Sequence, residues 1–192
     1  HGADVLIRAA RYVLSAVQDD VRFVLIGEGP ALSEVKQLAR RLRISQHIFM
    51  PGAVSYHEMP HYLALGALGV APYQPSRLPQ MQLGFFWSPL KIFEYMAMAL
   101  PVVTLDVEPL RKIVRPGQEG LLVAENDADA LGDAIVSLLQ DPERSKAMEA
   151  TAPAVYRPIP GRLCRSSASS GSWPSKSSTT RLAAAWRFRA RE

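Results

Sequence analysis

Apolar positions along the first 150 residues alternate between two rhythms. Over residues 3–17, Val5, Leu6, Ala9, Tyr12, Val13 and Val17 recur at helical spacing, so one face of a helix is apolar. Residues 21–26 (VRFVLI) are almost unbroken β-branched and aliphatic, the pattern of a strand covered on both faces. The Gly27-Glu28-Gly29-Pro30 turn ends that strand, and a second amphipathic helix follows with Leu32, Val35, Leu38, Ala39 and Leu42 inward. Residues 47–50 predict a short strand closed by Pro51-Gly52. Ser55 and Glu58 then stand at capping-box spacing before another helix. Strands are predicted again at 68–71, 102–105 and 121–123, with Ser88-Pro89 opening a helix that runs to Leu100. Asp127 caps a further helix through Leu131, Ile135, Leu138 and Leu139, and Asp141-Pro142 restarts one to about residue 150. Strand and helix alternate throughout, which predicts an α/β fold: a Rossmann-like parallel sheet with helices on both faces.

Composition changes that picture only at the end of the chain. The 192 residues are 48% hydrophobic, enough for one cored domain. The net charge of +4 is unevenly spread, because residues 157–192 hold eight basic residues and one acidic, leaving residues 1–156 net negative. The basic balance therefore predicts no nucleic-acid face on the folded part. Residues 157–192 are rich in Ser, Arg and Pro, with no apolar period before Leu182, and are expected to be disordered or poorly packed. Their composition is also what an out-of-frame reading of a GC-rich gene gives. One cysteine, Cys164, excludes an internal disulfide framework and a Cys-rich zinc site. No apolar run reaches the roughly 18–20 residues of a membrane span, and no signal peptide opens the chain, so the expectation is a cytoplasmic protein.

The chemistry concentrates in residues 88–103, SPLKIFEYMAMALPVV. With Ser88 at the N-cap and Pro89 at N1, the first-turn amides lack intrahelical acceptors and the helix dipole adds positive character there. Such an end suits a phosphate or diphosphate. Lys91 lies in the same turn and adds a full charge, while Glu94, one turn on, can accept hydrogen bonds from the hydroxyls of a ribose. On an arbitrary helix the same two residues form a surface ion pair worth a few tenths of a kcal/mol.

This segment resembles the hallmark region of the family-four, or group one, retaining glycosyltransferases, in the branch reading Ser-Pro-Leu-Lys and then Phe-Glu-Tyr-Met-Ala. Over about residues 1–150, five further stretches match in order: HGADVL from His1, FVLIGEGP from Phe23, FMPGAV from Phe49, GVAPY from Gly69 and GQEGLLV from Gly117. The resemblance implies the C-terminal, nucleotide-sugar-binding half of a GT-B fold, in residues 1–156. It implies that Glu94 holds the ribose, that Ser88, Leu90 and Lys91 face the diphosphate, that Val54 lines the base, and that Gly27 and Gly29 complete the donor site. The nucleotide-diphosphate sugar is then a substrate, with no cofactor and no metal. The acceptor (a glycan, lipid or small molecule) would be held by an N-terminal domain lying outside this sequence, with peripheral membrane association in the full-length enzyme. The piece alone is expected to be inactive.

Three departures bear on that implication. Phe86 stands where the family carries the first glutamate of its Glu-x7-Glu pattern, Ala67 stands where it carries a strand aspartate, and its basic pair falls before His1. The Phe85-Phe86-Trp87 run reads equally as an aromatic clamp or as core. His57 and His61 lack a third ligand in register and read as surface histidines. Rival readings are a sugar-nucleotide epimerase of the same architecture, disfavoured by Phe86 and Ala67, and a non-catalytic nucleotide-binding or interaction domain.

Overall fold

The computed structural model describes residues 2–77, 89–151 and 181–188. In chain order these give α1 (Ala3–Ala16), β1 (Val21–Gly27), α2 (Leu32–Arg41), β2 (Ile48–Gly52), α3 (Met59–Leu63) and β3 (Gly66–Ala71). There follow α4 (Leu90–Ala97), β4 (Val102–Leu105), α5 (Glu108–Arg111), β5 (Gly120–Val123), α6 (Ala128–Gln140), α7 (Pro142–Thr151) and β6 (Arg181–Phe188). The strands form one sheet in the order β2-β1-β6-β3-β4-β5, with every pairing parallel.

Period-two alternation along β1 separates two cores. Val21, Phe23 and Leu25 pack with α1, α2 and α6, where Leu6, Val13, Leu38 and Ile135 are buried. Val24 and Ile26 belong to the opposite layer, with Leu63, Ile92, Tyr95 and Leu110 from α3, α4 and α5. The expected parallel sheet with helices on both faces is what the chain builds. Its caps follow their residues. Ser55 and Glu58 exchange bonds reciprocally, Ser55 N and Oγ donating to Glu58 Oε2 at 3.1 and 2.7 Å. Glu58 N in turn donates to Ser55 Oγ at 3.3 Å. Ala130 N donates to Asp127 Oδ1 at 2.8 Å, and Arg144 N to Asp141 Oδ1 at 3.0 Å. The strand β2 runs through Pro51-Gly52, which the sequence placed after its end; as an edge strand it tolerates a residue without an amide proton. The four-residue helix α5 was not predicted, being too short to show a period.

The tail departs from its expectation. Arg181–Phe188 forms β6, pairing with β1 over Val21–Gly27 and with β3 at Gly66 and Leu68. Within the sheet it alone links the β2–β1 pair to the β3–β4–β5 trio. The order is that of a doubly wound dinucleotide-binding sheet, with β6 in the place of the strand that in such folds leads into the first helix. The inner edges of β1 and β3, covered by helices, carry backbone groups that need partners, and an eight-residue strand supplies them. The run Leu182-Ala183-Ala184-Ala185-Trp186 is hidden in the tail-wide composition by the serines before it. Residues 152–180 and 189–192, including the Ser-rich stretch, lie outside the described residues.

The turn into β5 rests on close contacts. A Cβ on Gly120 would lie 1.8 Å from Val102 O, so no other residue fits there without moving the strand. Glu119, 4% exposed, accepts from Arg115 N at 2.9 Å and Arg115 Nε at 3.0 Å, and also pairs with Arg115 Nη2. These bonds hold its carboxyl below the ordinary glutamate range against the opposing effect of burial. Its folded pKa being lower than its unfolded one, the stabilisation is complete above the unfolded value, near pH 4.3, and is lost as pH falls through the folded value. Glu119→Gln should cost about 1–3 kcal/mol at pH 7 in denaturant unfolding, with the deficit shrinking below about pH 4. A chain ending at Tyr156 lacks β6 and should lose more than about 10 °C of thermal midpoint, or its cooperative transition. An unchanged midpoint would return residues 157–192 to the unpacked tail their composition suggests.

Candidate functional site: the carboxyl edge at the start of α4

In a parallel sheet the strand ends and the helix N-termini that follow them share one edge. Here that edge gathers Gly27–Gly29 after β1, Val54 after β2, Pro72 and Tyr73 after β3, and the opening turn of α4. Helix α1 is seated at the same edge by Gly2, whose φ of +74° is a left-handed conformation that suits glycine. A Cβ there would lie 1.7 Å from Pro72 O.

Helix α4 is placed by its contact with β3. A Cβ on Gly69 would sit 2.3 Å from the Tyr95 ring and 2.9 Å from Tyr95 Cβ, so the helix lies directly on the glycine. Tyr95 is 1% exposed and its hydroxyl donates to Val70 O at 3.3 Å; burial is the main reason its pKa is raised. The helix opens at Leu90 with Pro89 as N-cap (φ −78°, ψ 62°), one residue later than predicted. The reason is that Pro89 O already accepts from Ile92 N at 2.8 Å and Phe93 N at 3.3 Å. Ser88, the predicted cap, and Phe85, Phe86 and Trp87 lie outside the described residues. The amides of Leu90 and Lys91 are in the first turn, where no preceding helical carbonyl is available.

Lys91 is half-buried, and its Nζ lies 4.8 Å from the centroid of the Tyr73 ring, a cation–π contact. Burial pushes the ammonium down to about 7, with Glu94 opposing the shift. Burial, and then the nearby Glu94 carboxylate, raise the Tyr73 hydroxyl. Lys91, Glu94 and Tyr73 thus form one electrostatic cluster at the start of α4. Val54 packs against the same core layer as Ile92 and Tyr95. Gly27 and Gly29 line a small apolar hollow with Ala3, Glu28, Leu32 and Val35. Leu25 and Val35 of that lining belong to the α1–α2 layer and Ile26 to the α3–α4–α5 layer.

Sequence reasoning missed what holds the loop after β3. Gln74, 2% exposed, donates through Nε2 to Asn126 Oδ1 at 2.5 Å. Ser76 donates to Glu125 Oε1 from its amide (2.9 Å) and its hydroxyl (2.5 Å), while Arg77 pairs with Asp4 at 3.0 Å. The loop is thereby tied to the end of β5 and to the first turn of α1. Among the described residues no group of three His, Cys, Asp or Glu side chains is placed to hold a metal ion.

A doubly wound parallel sheet with helices on both faces defines an α/β domain of the Rossmann-like class. The family model of the group 1 glycosyl transferases matches residues 1–141, and the chain belongs to that family. It is similar to the alpha-D-kanosaminyltransferase of Streptomyces kanamyceticus, with 30% identity over 135 residues, covering 70% of this chain and 32% of the relative. The chain spans about a third of the length of such curated relatives. Its fold resembles that of S. aureus TarM, solved with fondaparinux, alpha-GlcNAc-glycerol and UDP, at a TM-score of 0.66 and 20% identity. That match covers 78% of this chain and 28% of TarM. It also resembles the C-terminal domain of a group 1 glycosyl transferase from Francisella tularensis (TM-score 0.67, 20% identity, 79% of this chain and 75% of that one).

The dependence of α4 on Gly69 is testable. Gly69→Ala must displace the Tyr95 ring or the whole helix, and should cost about 1–3 kcal/mol of stability in a denaturant melt. A change below a few tenths would mean that α4 is not held against β3 as described.

Proposed function

We propose that residues 1–156, their sheet completed by β6, bind the nucleotide of a diphosphate-sugar donor as half of a glycosyltransferase that acts with retention. The observation that carries this reading is the cluster at the start of α4. First-turn amides and the Lys91 charge meet a diphosphate there, and Glu94 stands one turn further on for the ribose hydroxyls. Leu90 lends its amide and Val54 faces the base from the same core layer. The TarM complex supports the reading, because a protein of this fold was solved with UDP. Catalysis in such a half-site is positioning, together with stabilisation of the departing diphosphate charge. The nucleotide sugar is the substrate, and no metal or cofactor enters the reading. The acceptor, a glycan, lipid or small molecule, is held by a separate domain. No described helix is long and apolar enough to cross a membrane, which suits the proposed cytoplasmic site with any membrane contact peripheral.

Calorimetry with UDP and GDP, beside a donor-hydrolysis assay, tests the reading. Weak nucleotide binding without turnover is expected. Glu94→Ala should weaken that binding by about 1–3 kcal/mol, the cost of a lost charge-assisted acceptor, while folding changes little. Robust turnover by the chain alone would refute the half-site reading, and unchanged affinity in the variant would make Glu94 an ordinary surface partner of Lys91.

A further inference from the structure

The Tyr73 ring is assigned no role by the donor-site reading, yet it sits under the charge that the reading depends on. Tyr73 is 5% exposed and packed in the α3–α4–α5 layer, and its face lies 4.8 Å from Lys91 Nζ. A flexible four-carbon side chain in the first turn of a helix can extend to solvent or fold back along the sheet edge. Here it folds back onto an aromatic face whose quadrupole favours a cation. The ionisable groups acting on the ammonium are Tyr73 from the segment after β3 and Glu94 from α4. Between Tyr73 and α4 the sequence holds one ionisable side chain, Arg77, which pairs with Asp4 at 3.0 Å. The single carboxylate in the cluster, Glu94, is also the group proposed to engage the ribose.

We propose that Tyr73 is a positioning residue: its ring holds the Lys91 ammonium at the opening turn of α4, where the donor diphosphate docks and draws a proton onto the lysine. The inference rests on the donor-site reading above and deepens it. Two anionic phosphates favour the charged lysine far more than the apolar cradle does, so the nucleotide selects ammonium from a mixture of charged and neutral forms. The proton comes from buffer. The lowered Lys91 pKa, about 7, puts that mixture in the neutral range, above the second ionisation of the phosphate itself.

The test is calorimetry of UDP and GDP binding between pH 7 and 9, in two buffers of different ionisation enthalpy, on the 192-residue chain. The parent should take up about one proton per nucleotide at pH 8, and its affinity should fall by up to about tenfold per pH unit above 7. Tyr73→Phe keeps the ring and should match the parent within about twofold. Tyr73→Leu keeps an apolar side chain without the quadrupole. It should bind about five- to twentyfold more weakly at pH 7, with its midpoint displaced to lower pH because the charged form alone loses a partner. Lys91→Arg leaves the core untouched, stays charged throughout, and should bind with no proton uptake. If Tyr73→Leu does not fold, Tyr73→Phe and Lys91→Arg decide the matter. A Phe variant that loses binding overturns the ring's role, and an Arg variant with undiminished proton uptake overturns the role of the lysine. Nucleotide binding by the parent without proton uptake, or a folded Tyr73→Leu variant equal to the parent, overturns this inference alone. Failure of the parent to bind either nucleotide overturns the donor-site reading and this inference together.

Discussion

The contact between Gly69 and Tyr95 is the constraint on which the candidate site depends. Because residue 69 has no side chain, α4 settles directly on β3, with the Tyr95 ring occupying the space a Cβ would take. That seating fixes where the helix begins, and hence where the Leu90 and Lys91 amides and the Lys91 side chain can reach. Tyr73 lies four residues beyond Gly69 along the same strand and loop, so one length of chain supplies both the bed for the helix and the ring beneath its lysine. A helix resting on a larger residue would stand off the sheet and carry its N-terminus away from that ring.

Charge placement follows from this geometry. Lys91 is the cation at the opening turn, and Glu94 partly offsets the cost of burying it. Arg77, nearby in the loop after β3, is committed to Asp4 on α1 at 3.0 Å. The bonds from Gln74 to Asn126 and from Ser76 to Glu125 fasten that loop at its far side. They are made across more than forty residues of sequence, linking the end of β3 to the end of β5. Polar groups held by such cross-links lose little further freedom when a ligand arrives, which is how a rigid edge favours binding.

The elements were legible wherever a local rule decides them. The helices α1, α2 and α6 follow their 3.6-residue stripes, the β1 and β4 strands their apolar runs, and the caps at Ser55, Asp127 and Asp141 their side-chain oxygens. Glu94 and Lys91 were legible as a pair because helical spacing fixes their separation. What escaped depends on contacts distant in sequence. Tyr73 reads as one more aromatic residue after a strand until α4 is laid beside it, and Gln74 reads as a loop residue until Asn126 is opposite. The β6 strand escaped for a different reason. Its demand comes from the inner edges of β1 and β3, and its own short apolar run is masked by the serines before it.

A half-buried lysine over an aromatic ring is a costly arrangement for a helix that could have placed a neutral residue there. Removing an ammonium from water carries a cost that one carboxylate and a ring face offset only in part. Under the proposed donor-site reading an anion at the first turn would recover that cost, because the helix dipole, the amides and the ammonium would then act together. The same logic explains why Glu94 stands one turn away from the opening. At that distance it moderates the lysine from outside the first turn.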